Sequence, residues 1–133
     1  MRHYLRRLGA ILALGVVVAP LTGCSESISE VSGIVLIDGK QLPEGEIIFE
    51  ATDAQTTPAA GPIKDGKYSV KIVPGSKKVR INASRPTAKP DPVMGTAARE
   101  SMIRPEFNTR TLLIADLKPG KQENVNFEVK AIP

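Results

Sequence analysis

Cysteine and histidine are nearly missing from this chain: each occurs once in 133 residues, as Cys24 and His3. A lone cysteine cannot close an intrachain disulfide, so the core has to stand on packing. Zinc or copper sites built from His and Cys need three or four such ligands, and they are excluded as well. Tryptophan is absent and aromatics make up only 4% of the chain. Also missing is any long stretch with apolar residues at helical spacing, which argues against a helical bundle.

What is present begins at the N-terminus. Arg2, Arg6 and Arg7 surround Tyr4, a weakly polar or apolar run follows from Leu8 to Pro20, and Leu21-Thr22-Gly23-Cys24 ends it. That order is a charged region, an apolar region and a small-residue cleavage site. As a helix the apolar run would span only ~20 Å, short of the ~30 Å bilayer core. The last four residues resemble the lipobox of bacterial lipoproteins, in which the cysteine thiol takes a diacylglyceryl group and the bond before it is cut. The resemblance implies cleavage before Cys24 and a membrane anchor there, with no cofactor beyond this covalent lipid. Two acyl chains, at about 0.8 kcal/mol per buried methylene, hold a domain where one would not. Ser25 follows the cysteine where inner-membrane retention would want Asp, so the outer membrane is slightly favoured, with the domain facing the periplasm or the cell surface. An ordinary secretory peptide that happens to carry a cysteine is the plainer alternative.

Removing residues 1–23 changes the chemistry of what remains. Three of the 18 Lys and Arg leave with the leader and none of the 14 Asp and Glu, so the side chains of the remaining 110 residues carry +1. No basic footprint for nucleic acid survives. His3 leaves too, and Cys24 is consumed by lipid. Ser-His-Asp triads and Cys-His dyads are then unavailable, and an enzyme is not expected.

Residues 24–30 read as the lipidated cysteine and a polar tether, and 31–133 as one domain. Its pattern is β throughout. Val31 to Ile37 is rich in β-branched residues and ends at Asp38-Gly39, a dipeptide suited to positive φ. Glu46 to Glu50 and a brief Pro62 to Lys64 follow, separated by a loop from Ala51 to Gly61. Asp65-Gly66 turns the chain into Lys67 to Ile72, where Tyr68, Val70 and Ile72 share one face at period two. After Pro74-Gly75, Val79, Ile81 and Ala83 point inward. Thr111 to Leu117 and Asn124 to Val129 complete the set, joined through Lys118 to Lys121, with Val125, Phe127 and Val129 facing the core. The expectation is an all-β fold, an antiparallel β-sandwich of about seven strands.

Two segments carry a further likeness. Val31-x-Gly33-x-Val35-x-x-Asp38-Gly39-Lys40-x-Leu42-Pro43-x-Gly45-x-Ile47-x-Phe49, and Asp65-Gly66-Lys67-Tyr68-Ser69-Val70 with Pro74-Gly75 and Val79-x-Ile81, resemble the carboxypeptidase regulatory-like, or transthyretin-like, sandwich domains. The ending, Ile103-x-Pro105-Glu106-Phe107-Asn108-Thr109-x-Thr111-Leu112 and Lys118-Pro119-Gly120-x-x-x-Asn124-x-x-Phe127-x-Val129, is similar to small bacterial lipoproteins built on that domain. The resemblance implies a transthyretin-like or Ig-like sandwich acting as a non-catalytic accessory or binding module. The enzymatic relative, hydroxyisourate hydrolase, relies on histidines and a C-terminal Tyr-Arg-Gly-Ser. This chain ends Lys130-Ala131-Ile132-Pro133.

The segment from Ser84 to Arg110 is the expected contact surface, because long loops inside compact domains are commonly functional. Arg85 to Pro92 is stiffened by prolines, and Thr96 to Ile103 reads as one or two helical turns capped by Thr96. Arg85, Lys89, Arg99, Met102, Phe107 and Asn108 are the residues expected to contact a partner or pin the loop. A passive crossover with packing anchors fits the same residues. Asn108 and Thr109 suit a corner, since Asn tolerates left-handed backbone. Glu44, Glu46, Glu50 and Asp53 could gather around Ca²⁺, but a solvated strand face explains them better and no metal is expected. Lys77, Lys78 and Arg80 read as a small basic patch on the surface. The expected partners are membrane lipid through Cys24 and an unidentified envelope protein or polysaccharide. A small-ligand carrier is the alternative, and it would require an apolar concave site.

Overall fold

The computed structural model describes residues 27–53, 56–90, 92–93 and 97–133. The stretch expected to be a leader, with Leu21, Thr22, Gly23 and Cys24, and Thr96 lie outside the described residues.

The fold is all-β, with eleven strands among the described residues: β1 Ser29–Ile37, β2 Lys40–Gln41, β3 Glu44–Ala51, β4 Ala59–Lys64, β5 Lys67–Ile72, β6 Gly75–Asn82, β7 Ser84–Pro90, β8 Ala97–Ser101, β9 Ile114–Leu117, β10 Lys121–Gln122 and β11 Phe127–Val129. Nine form one hydrogen-bonded sheet with the path β10-β1-β5-β4-β3-β6-β9, and β11 and β2 attach to β1. The sheet curls so that its inward faces meet over a single sandwich core. β7 and β8 pair only with each other.

The turns follow from local chemistry. Asp38-Gly39 (φ 49° and 79°) and Asp65-Gly66 (φ 49° and 74°) supply two consecutive left-handed residues, which matches the twist of the strands on either side. Period-two patterning then fills the interior. On β5, Tyr68, Val70 and Ile72 are buried, and on β6 and just beyond it so are Val79, Ile81 and Ala83. Val31, Val35, Leu42, Ile47, Phe49, Ile63, Ile103 and Val129 complete the centre.

Several expectations are corrected. β1 begins two residues early, and Ser29 is fully buried with its hydroxyl donating to the Lys118 carbonyl at 2.9 Å. β3 and β4 extend into the segment read as a loop from Ala51 to Gly61. β9 starts at Ile114 rather than Thr111; just before it the Thr111 hydroxyl donates to the Val79 carbonyl and the Leu113 carbonyl accepts from Val79 N–H at 3.0 Å. β10 and β11 run parallel to β1, an arrangement that requires a crossover and that local patterning does not register. Lys77, assigned to a surface patch, is only 3% exposed. It lies on the inward-facing parity of β6, and its ammonium donates to the Thr56 hydroxyl at 3.1 Å.

Strand directions define two poles. The start of β1 pairs with the end of β5 (Ser29 opposite Ile72) and with β10 (Glu30 opposite Lys121). β6 sets out from that same pole at Gly75 and runs to the other, where Asn82 lies opposite Glu46 near the start of β3.

Candidate functional site

The segment from Ser84 to Arg110 is an arm rather than a loop. β6 and β7 form one extended run broken only at Ala83, the last buried position of the β6 alternation. Beyond it the sequence turns polar and gains Pro86 and Pro90, so it has nothing to offer the core and leaves the sheet. β8 pairs back onto it, with Ser84 opposite Ser101, Arg85 opposite Glu100 and Pro86 opposite Arg99, and the register shifts before Pro90 meets Ala97. The helical turns expected over residues 96–103 are therefore replaced by strand over 97–101. Ala and Arg favour helix by themselves, but cross-strand hydrogen bonds override that preference.

Side chains lace the arm together. Arg85 Nε donates to Glu100 at 2.7 Å, with both side chains about half exposed (52% and 49%); such a pair contributes at most ~1 kcal/mol. Arg99 reaches across to Ser84, with Nε to the hydroxyl at 2.9 Å and Nη2 to the carbonyl at 2.8 Å. The Thr87 hydroxyl donates to the Ala98 carbonyl at 3.0 Å. Lys89 lies on β7, and its side chain is outside the described part.

The foot of the arm is fixed to the body. Met102 N–H donates to Ala83 at 2.9 Å and its carbonyl accepts from Ile132 N–H at 2.9 Å. Ile103 is buried and bridges to Ala131. A short 3-10 turn, Pro105–Phe107, follows, and Phe107 packs half-buried against the core. Met102 is held through its backbone and Phe107 through its ring. A corner is formed at residues 105–110, with Asn108 closing the turn at φ −130° rather than in the left-handed region.

Between this foot and the β3–β6 end of the sheet lies a groove of about 380 Å³, lined by Glu44, Gly45, Glu46, Asn82, Ala83, Ser84, Arg99, Glu100, Ser101 and Asn108. Of the expected contact residues, Arg99 and Asn108 reach it, while Arg85 acts one step back by holding Glu100. Glu44 and Glu46 are exposed at its rim. Glu50 stands apart from them, paired with Arg80 at 2.8 Å. Glu44, Glu46, Asn82, Ser84 and Ser101 escaped the sequence reading as groove residues, since no local signal links three chain segments that meet only in space.

The groove offers hydrogen bonds and charge. Both of its serine hydroxyls are engaged: Ser84 accepts from Arg99, and Ser101 donates to the Ile103 carbonyl while accepting from the Ile103 amide. No imidazole is available in this part of the chain.

A second, shallower depression of about 280 Å³ is lined by Ser32, Gly33, Ile34, Lys67, Tyr68, Glu123 and Asn124. Its floor is structural. The Tyr68 hydroxyl donates to the Val125 carbonyl at 2.6 Å, and burial pushes the phenol well above its ordinary 10.0. A raised value in the folded state means that the neutral phenol favours folding, fully so below pH 10 and progressively less above it. Tyr68→Phe is expected to cost about 1 kcal/mol at neutral pH, through the lost hydrogen bond, and to flatten the alkaline loss of stability. Urea unfolding of both proteins between pH 7 and 11 measures this; parallel alkaline slopes would refute it. On the exposed rim, Lys121 and Glu123 pair at 2.7 Å, and their hydrogen bond raises the lysine and lowers the carboxylate.

No family model matches this chain, and no curated protein matches it. Among solved structures it is similar to a DUF3823 family protein from Parabacteroides merdae, at 17% identity and a TM-score of 0.43, over 82% of this chain and 48% of that one. It is also similar to a 9R-lipoxygenase from Cyanothece, at 12% identity and a TM-score of 0.44, over 77% of this chain and 16% of that one. The chain thus spans about half the length of the first of these structures and a smaller share of the second.

Proposed function

We propose that the protein is a membrane-anchored, non-catalytic lipoprotein of the bacterial envelope that binds an envelope protein or polysaccharide through the groove beneath the β7–β8 arm. The anchor is the diacylglyceryl group on Cys24, following the Leu21-Thr22-Gly23-Cys24 motif, and the domain is of the carboxypeptidase regulatory-like kind. The observation that carries the binding reading is the arm itself: a hairpin outside the main sheet, held by Arg85–Glu100 and Arg99–Ser84, whose foot helps wall a polar groove. A small-ligand carrier would call for an apolar concave site, whereas every lining side chain here except Gly45 and Ala83 is polar or charged. A polar partner is therefore favoured.

Two measurements test this. Cys24→Ser is expected to abolish incorporation of labelled fatty acid, and unchanged labelling would refute the anchor. For the groove, Arg99→Ala combined with Glu100→Ala is expected to remove the main partner recovered from crosslinked envelopes. Because both side chains lie on the exposed arm, the melting temperature should change by no more than about 4 °C, a loss of ~1 kcal/mol or less. Recovery of the same partner at the same yield would sink the groove as the binding surface.

A further inference from the structure

We propose that the anchored protein stands with the pole bearing Ile28, Lys118 and Gly120 against the bilayer, so that the groove and arm face away from it. This rests on the anchoring reading above and adds an orientation to it. β1 is already paired by β5 and β10 at Ser29 and Glu30, and the Ser29 hydroxyl and Glu30 amide are bonded to Lys118 and Gly120. β1 therefore begins five residues after Cys24. Five residues span at most ~17 Å even when fully extended, so this pole is confined to the neighbourhood of the lipid. Ile28 sits there with 67% of its surface exposed, an apolar side chain suited to the headgroup boundary, while Lys118 and Lys121 are exposed beside it.

The opposite pole is out of reach in this stance. The seven steps of β6 carry the chain ~23 Å from Gly75 to Asn82 at ~3.3 Å per residue, and β7 continues beyond. The groove, walled by Glu44, Asn82 and Arg99, thus opens at the end remote from the anchor. Its polar lining would gain nothing from acyl chains. The partner it fits reaches it from the aqueous compartment or from a neighbouring protein, not from the lipid beneath.

The test uses the lipidated protein extracted from membranes and reconstituted into phosphatidylcholine–phosphatidylglycerol vesicles that contain a headgroup-nitroxide lipid. Lipid occupies Cys24, the chain's only cysteine, so Lys118→Cys and Ala88→Cys each give a single fluorophore at an exposed position. The expected result is loss of most of the fluorescence at position 118 and little loss at position 88. Equal quenching at both, or the reverse order, in protein that floats with the vesicles would overturn the orientation and leave the anchor standing. Protein that fails to float at all would overturn the anchor, and the orientation with it.

Discussion

Phe49→Ala is expected to cost about 3–5 kcal/mol, the usual penalty for emptying a buried phenylalanine site. Domains of this size hold only ~5–15 kcal/mol in total, so the variant should unfold partly at physiological temperature, with a melting temperature lower by at least about 12 °C. The reason lies in what the ring joins. Phe49 on β3 is fully buried and stands 6.1 Å from Tyr68 on β5 and 6.3 Å from Phe127 on β11, while those two rings are themselves 6.3 Å apart. Three strands distant in sequence meet through three rings, and the Phe49–Phe127 contact is edge-on at 62°, a geometry aromatic pairs favour. With neither disulfide nor tryptophan to compensate, the cavity would sit at the centre of the core that the described residues form. Phe49→Leu should cost less than half as much, because it retains most of the volume. Denaturant unfolding followed by circular dichroism measures both, and a loss below ~1 kcal/mol for the alanine variant would show that the ring cluster is not central.

Gly33→Ala should be nearly as damaging, although it adds a single methyl group to a strand. An ideal Cβ there would lie 2.0 Å from the Val125 carbonyl oxygen and 2.6 Å from its carbon. Backbone, not a flexible side-chain end, blocks it. Nor can that backbone easily retreat: Val125 N–H donates to Ser32 at 3.1 Å, the Val125 carbonyl accepts from Tyr68, and the Asn126 side chain accepts from Ile34 N–H at 2.8 Å. Relief would break at least one of these bonds, for a total cost of about 3 kcal/mol. Gly39→Ala is the informative control. Gly39 sits at φ 79° with nothing within 4 Å of the added carbon, so it should lose only the ~1 kcal/mol of left-handed backbone strain. Urea midpoints for the two variants test the contrast; equal losses would mean that the close approach at Gly33 is not rigid.

The same residues show what can be read without coordinates. Asp38-Gly39 and Asp65-Gly66 announced their turns because few dipeptides tolerate two left-handed residues. Tyr68, Val70, Ile72, Val79, Ile81 and Ala83 announced the core because a strand repeats every two residues. Val125 and Phe127 follow the pattern less fully, since both are only half-buried where the chain end closes against β1. Residues 97–101 depart from expectation because Ala-Ala-Arg-Glu favours helix locally, and only β7 lying alongside makes them a strand. Lys77 departs from expectation because a lysine in a basic run suggests solvent, whereas its place on β6 directs it inward toward Thr56. Arg99 and Asn108, expected as contact residues, line the groove, whereas nothing in the sequence links them to the carboxylates of β3 that share it, as some 50 residues of chain separate them.

The sequence alone determined the all-β class, the position of its turns, most of the buried face of each strand, and the absence of histidine and cysteine after Cys24. Each of these depends on a residue and its nearest neighbours along the chain, where sterics and periodicity act. Tertiary structure alone decided the parallel return of β10 and β11 onto β1, the departure of β7 and β8 as an arm, the backbone pressed against Gly33 and the convergence of residues 44–46, 82–84, 99–101 and 108 on one groove. Those are pairings between segments far apart in the chain, and their energies exist only once the sheet has curled and brought its poles into being.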